Sequence, residues 1–229
     1  MLLRPLLPAL ALLLLTRSIS DASRPNDAEN ELLVEQSLQN VQRAVSVRFS
    51  ELEDLRHGGK SMLRVETVGE WLVGKALRIE ETVWMGDNTY TATTMITGGK
   101  NYVRGDAENK WIVSEATDDE LIPTVVSDLP LYLHSAAGFR KGDSVRLRET
   151  PCHSFTFTPV LPAALDLRPK TSAGRLLISR KDKWVMQVSV KAEGEDSRGD
   201  ATDFSFAVDF FDYNARIEIK APKVEDIQR

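Results

Sequence analysis

A single cysteine, Cys152, stands in a chain of 229 residues, which excludes an internal disulfide framework and any zinc site built on several thiolates. Histidine is nearly as scarce. His57, His134 and His153 form no i, i+4 pair and have no carboxylates at ligand spacing, so no metal and no cofactor is expected. Calcium loops of the D-x-D-x-D-G type are missing, and so is any Asn-x-Ser/Thr glycosylation acceptor. There is no basic excess either: 29 Lys and Arg face 34 Asp and Glu, and the net charge of −5 argues against a nucleic-acid partner. With 13 Gly and 10 Pro the chain is neither collagen-like nor low-complexity, and 42% apolar residues suffice for a folded core.

Long hydrophobic runs are also missing. The longest, Leu6 to Leu15, has ten residues, whereas a helix crossing a bilayer needs about twenty. It is preceded by Arg4 and followed by Thr16-Arg17-Ser18-Ile19-Ser20-Asp21-Ala22, the layout of a cleavable secretory signal over residues 1–22. Cleavage after Ser20 and cleavage after Ala22 both satisfy the small-residue rule. No cysteine follows directly for acylation, so the expected product is soluble and periplasmic or extracellular. Its charge would be −6, because Arg4, Arg17 and Asp21 leave with the signal. An unpaired cysteine in an exported protein is expected to be buried. Residues 23–30 are polar and read as a flexible leader, and residues 31–229 as one domain.

What is present is mostly alternation. After a helical stripe of Val34, Leu38, Val41 and Val45, the apolar period shifts from 3.6 to two near Ser46 and stays there. Leu63 to Val68, Leu77 to Glu80, Thr82 to Met85, Val145 to Thr150, His153 to Thr158, Leu176 to Arg180, Trp184 to Lys191, Asp203 to Phe211 and Ala215 to Ala221 read as antiparallel strands. Phe204, Phe206, Val208 and Phe210 share one strand face. The series is interrupted at Thr117 to Ser135, where Thr117 and Glu120 form a capping-box signature, Pro123 reads as a first-turn proline and Pro130 as a break, giving two short helices. Leu161 to Leu167, set among prolines, reads as a further insertion over the sheet. Residues 191–200 read as a hairpin tip.

Catalysis finds little support. Cys152 and His153 are adjacent in a strand, so they point to opposite faces and cannot form a nucleophile and base. The acidic pairs Asp118-Asp119 and Glu80-Glu81 are explained by a helix start and a solvated strand face, and two Arg-Gly-Asp tripeptides, at 104–106 and 198–200, by turns. Two architectures remain open: a closed β-structure filled by its own side chains, or a sheet and helices that leave a hydrophobic cavity for an acyl chain.

Specific wording then narrows the choice. The run Tyr102-Val103-Arg104-Gly105-Asp106-Ala107-Glu108-Asn109-Lys110-Trp111 resembles the strand, turn and Lys-Trp strand of exported proteins in the LppX/LprAFG group, which share the LolA-like fold. The segment Phe211-Asp212-Tyr213-Asn214-Ala215-Arg216-Ile217-Glu218-Ile219-Lys220-Ala221-Pro222 resembles that group's closing strand. The order of elements over residues 31–222 agrees as well. The resemblance implies an α+β fold: a strongly curved, unclosed antiparallel half-barrel with an N-terminal helix and lid helices on its concave side. It implies a monomeric, non-enzymatic carrier of lipid, glycolipid or lipoprotein acyl chains across the aqueous envelope space, with membrane donor and acceptor proteins as further partners. A lipid-independent sensor or protein-interaction module of the same fold is the alternative, and an enzyme stands third. On this reading the concave lining is Leu63, Val65, Leu77, Ile79, Met186, Val188, Phe204, Phe206 and Val208. Leu121, Ile122, Val125 and Val126 form the lid. A register error of one residue would exchange the lining for the opposite face.

Overall fold

The structure, a computed structural model, describes residues 25–133 and 137–228. The expected signal segment, residues 1–22, lies outside the described residues. Helix α1 (Pro25–Arg43) precedes β1 (Ser46–His57), β2 (Lys60–Leu72), β3 (Ala76–Met85), β4 (Asn88–Thr97), β5 (Lys100–Gly105) and β6 (Ile112–Glu115). A 3-10 turn (Asp118–Leu121) and α2 (Thr124–Leu133) lead to β7 (Ala137–Lys141), β8 (Val145–Leu147), β9 (Thr150–Thr158), β10 (Arg168–Ser179), β11 (Val185–Glu195) and β12 (Ala201–Phe211). The leader expected at residues 23–30 is in large part helix. Proline fits the first position of a helix, where its missing N–H would have no partner.

All twelve strands belong to one antiparallel sheet in the order β6-β5-β4-β3-β2-β1-β12-β11-β10-β9-β7, with β8 on β9. The sheet is curved and not closed into a barrel. Two meanders, β1 to β6 and β9 to β12, are joined by the β1–β12 pair, which runs in unbroken register from Arg48↔Phe211 to His57↔Thr202. Short hairpins make the meanders possible: Gly58 and Gly59, both at positive φ (55° and 79°), close the two-residue turn between β1 and β2. After β6 the chain must cross from one edge of the sheet to the other, and α2 lies on that crossing. Its position over the sheet follows from topology.

One face of the sheet and both helices form the core, with Val34 and Val41 of α1 and Val125, Val126, Leu129, Tyr132 and Leu133 of α2 buried against Phe49, Phe155, Leu176, Val188, Phe206, Val208 and Phe210. We call this the inner face. Two glycines let aromatic rings lie flat across it. A Cβ on Gly69 would sit 2.1 Å from Cζ of Phe49, and one on Gly174 2.3 Å from the ring of Phe157. Each glycine is directly opposite its ring in the register.

Two expectations are corrected here. Pro130 does not break the second helix: α2 runs through it, and the separation from the 3-10 turn falls at Ile122 and Pro123 instead. The expected closing strand, Ala215 to Ala221, is not a strand. Its predecessor β12 is interior, flanked by β1 and β11, so no free edge adjoins it. Asp212 and Asn214, at φ of 53° and 58°, turn the chain off the sheet. The tail is fixed to the start of β1 where the Asn214 N–H donates to the Ser46 carbonyl (2.8 Å). It ends beside Trp111, whose N–H donates to the Asp226 carbonyl (2.8 Å) and whose carbonyl accepts from the Gln228 N–H (2.8 Å). There Ile227 covers Met95, Tyr102 and Trp111, a small cluster separate from the main core.

Candidate functional site: the inner face

Residues directly opposite in paired strands share a face, so the register lays the inner face out as rows. One row runs Glu53, Val65, Val83, Tyr90 from β1 to β4, and continues the other way through Phe206, Val190, Gly174 and Phe157. The next runs Glu51, Thr67, Glu81, Ala92, with Val208, Val188, Leu176 and Phe155 on the other side. A third runs Phe49, Gly69, Ile79, Thr94, Val103, Ile112.

Eight of the nine expected lining residues stand on this face: Leu63, Val65, Leu77, Ile79, Val188, Phe204, Phe206 and Val208. Met186 does not. The register pairs Leu177 with Gln187 but Ile178 with Val185, which leaves Met186 unmatched in a bulge. The extra residue reverses the alternation and puts Met186 in an outer cluster with Cys152 and Leu177, against Trp184 and Tyr213.

The inner face divides into a covered half and an open one. Val188 and Val208 are 0% exposed, and Phe204 and Phe206 are nearly so. The Phe206 ring stacks on Tyr132 of α2 at 4.9 Å between centroids. Leu161, Leu165 and Leu167 close over the same core, as the reading of that segment as an insertion expects. Of the expected lid, Val125 and Val126 are buried, Leu121 rests partly buried on the core, and Ile122 is turned outward. On the β2–β6 side the apolar wall stays accessible: Leu63, Val65 and Val83 are half-buried, and Met85, Tyr90, Val103 and Ile112 are exposed. These last four and Val83 were missed in the sequence. Alternation marks each as a facing residue within its own strand, but their meeting with Leu63 and Val65 depends on pairings set by the register.

Carboxylates stand between the two halves, and these too were missed. Glu51 and Glu53 occupy inner-face positions of β1, Glu81 that of β3, and Asp128 lies one helical turn before Tyr132. Burial pushes Glu51 up to about 7, with Glu53, Asp128 and Glu81 adding like charge. Burial likewise raises Glu53, which also feels Asp128, and raises Asp128 against the opposing hydrogen bond from Ser127. The Tyr132 phenol is driven up by burial and then by the same carboxylates. Among the described residues no cation is a cause of either shift.

The remaining chemical candidates are structural in character. Cys152 is fully buried and its thiol is pushed up by burial, while His153 is opposite Ile178 and belongs to the inner side. His134 lies outside the described residues. His57 Nδ1 lies 3.7 Å from the Asp196 carboxylate and 3.3 Å from the Thr202 hydroxyl, tying the β1–β2 hairpin to the β11–β12 tip. The second Arg-Gly-Asp belongs to that tip, where the Arg198 and Asp200 amides donate to Asp196 Oδ1. Among the described residues no three His, Cys, Asp or Glu are grouped to hold a metal ion.

No protein-family model matches the sequence, and neither does any curated protein. Solved structures do match in fold. The crystal structure of the Mycobacterium tuberculosis lipoprotein LppX is similar over 85% of this chain and 100% of that one, at 13% identity and a TM-score of 0.57. A LolA-superfamily protein from Nitrosomonas europaea matches over 83% and 94% at 6% identity and a TM-score of 0.32. A conserved protein from Thermus thermophilus matches over 88% and 99% at 13% identity and 0.35. The likeness to LppX shows the fold: the chain has the LppX-type α+β architecture that the resemblance implies. Among the described residues no helix is long and apolar enough to cross a membrane.

Proposed function

We propose that this protein is an exported carrier that shields the acyl chain of a lipid, glycolipid or lipoprotein on its inner face while the cargo crosses an aqueous compartment. The observation that carries the reading is the accessible apolar wall of Leu63, Val65, Val83, Met85, Tyr90 and Val103 on the inner side of an unclosed sheet. Such a surface is costly to leave in water. Each buried methylene contributes about 0.8 kcal/mol, so a sixteen-carbon chain laid along it gains on the order of 10 kcal/mol before ordering costs. The LppX-type fold supports the same reading. α2 serves as the lid, since it lies on the crossing between the two edges of the sheet and packs on the inner face beside the wall, through Tyr132 on Phe206.

A second reading has its own observation. Phe204, Phe206, Val188 and Val208 are sealed under α2, so half of the inner face is filled core. That favours a lipid-independent protein-interaction module. Val65→Asp separates the two, because Val65 is half-buried outside the sealed cluster and tolerates a charge without unfolding the core. A carrier loses at least tenfold in affinity for a fluorescent long-chain fatty acid, with circular dichroism unchanged. Equal binding by the folded variant removes this wall from the site.

A further inference from the structure

The edge of the sheet remote from the accessible wall is electropositive. From Arg140 to Lys183 the chain carries ten Lys and Arg against four Asp and Glu, a local +6 in a sequence totalling −5, which leaves −11 for the rest. The strands of this span, β7 to β10, are neighbours at one edge, so the excess in sequence is also an excess in space.

The register gathers the cations further. Arg140 is opposite Thr156, and Thr156 is opposite Arg175, which sets both arginines on the outer face two strands apart. Arg146 is opposite Pro151, whose carbonyl accepts a 2.9 Å hydrogen bond from the Arg180 N–H. The turn after Arg180 then adds Lys181 and Lys183. Lys141 is opposite Phe155 and so stands on the inner side with His153, whose imidazole is held below the usual range by burial and then by Lys141, Lys183 and Arg180, so the cations border both faces of this edge. Arg140, Lys141, Arg175, Arg180 and Lys181 are exposed. Among the described residues neither they nor Lys183 forms an ion pair. Asp143, Glu149 and Asp182 are the exposed acids of this corner, and Glu149 is already paired with Arg146 at 3.8 Å, so they are too few to neutralise it. Beside Lys183 stands the half-buried Trp184, stacked on Tyr213 at 4.6 Å.

We propose that this corner of the protein docks on the surface of a bilayer containing anionic phospholipids. A planar surface meets one face at a time, and charges farther away than about 10 Å are screened, so the acidic remainder does not prevent contact. A tryptophan flanked by unpaired cations suits the headgroup region, where the ring is amphipathic and phosphates are dense. A flexible polyanion such as nucleic acid, extending past the corner, would instead be repelled by the surrounding acidic surface. Nothing in this inference depends on what the inner face carries.

The test is vesicle co-sedimentation at an ionic strength of about 0.1 M, with neutral phosphatidylcholine vesicles against vesicles containing 30% phosphatidylglycerol. The protein binds the anionic vesicles and is released by salt, while neutral vesicles account for any apolar insertion. Each reversed cation costs about fivefold, so Arg180→Glu/Lys181→Glu/Lys183→Glu loses on the order of a hundredfold. A Lys220→Glu/Lys223→Glu control keeps its binding. Failure of the unaltered protein to bind, or equal loss in the control, overturns the proposal. Equal affinity for a single-stranded oligonucleotide overturns the choice of partner. Fatty-acid binding measured on the same triple variant stays intact, so failure here is distinguishable from failure of the carrier reading.

Discussion

Glu51 shows how a single residue is compromised by its place. It stands opposite Val208 on one side and Thr67 on the other, under α2, where burial and three carboxylate neighbours raise it to about 7. The folded state therefore binds a proton that the unfolded state, with an ordinary carboxyl near 4.5, has already released. Stability from this group is full below the unfolded value, falls as pH rises from there through the folded value, and is gone above it. Glu51→Gln is uncharged throughout, and it is expected to gain about 1–2 kcal/mol over the parent at pH 8, discounted for partial exposure. The gain disappears near pH 4.5. Urea unfolding at the two pH values checks this, and a gain of equal size at both assigns it to packing. Glu51 and Glu53 interrupt the apolar alternation that Val47, Phe49 and Leu55 set in β1, and Leu52 falls on the opposite face, so the sequence alone reads the middle of this strand as solvated. The partners that desolvate them, Phe206 and Tyr132, come from 79 or more positions further along the chain.

At the scale of elements, period and punctuation were legible and crossings were not. Of the expected stripe, Val34, Leu38 and Val41 form the buried side of α1, whereas Val45 lies beyond the end of the helix and is exposed; Phe204, Phe206, Val208 and Phe210 fall on one face of β12 as their spacing indicates. The capping box at Thr117 and Glu120 is formed, with the Thr117 N–H donating to the Glu120 carboxylate at 2.7 Å, although it opens a 3-10 turn. Met186 was lost to a bulge, since one unmatched residue reverses the side on which its neighbours fall. The tail was lost because its alternation, Ala215 to Ala221, resembles that of a strand, while the absence of a free edge beside β12 is a property of the assembled sheet. As a strap the tail has a testable anchor in Ile227, which covers Trp111. Ile227→Asp is expected to release its end, lowering Tm by about 2–4 °C for roughly 1 kcal/mol. Protection from hydrogen exchange at the Trp111 and Gln228 amides falls as well. Unchanged protection at both amides contradicts the strap.

For the whole molecule, the open sheet has two unlike ends, an accessible apolar wall on the β2–β6 side and a cationic corner at β7–β10. α2 spans the interior between them. The wall was half legible: Leu63, Val65 and Ile79 were expected, whereas Val83, Tyr90 and Val103 join them through the registers of successive hairpins, which alternation within each strand does not set. The sealed half, Phe206 and Val208 under Tyr132, was expected as lining and is core because α2 and Leu161 to Leu167 descend on it. Cargo on the inner face is the central claim. Native mass spectrometry with lipid extraction, on protein purified from the exported fraction without detergent, tests it most directly. The account predicts a discrete added mass that extracts as a lipid and is missing from the Val65→Asp variant. A clean apo mass that persists after incubation with a bacterial lipid extract contradicts it.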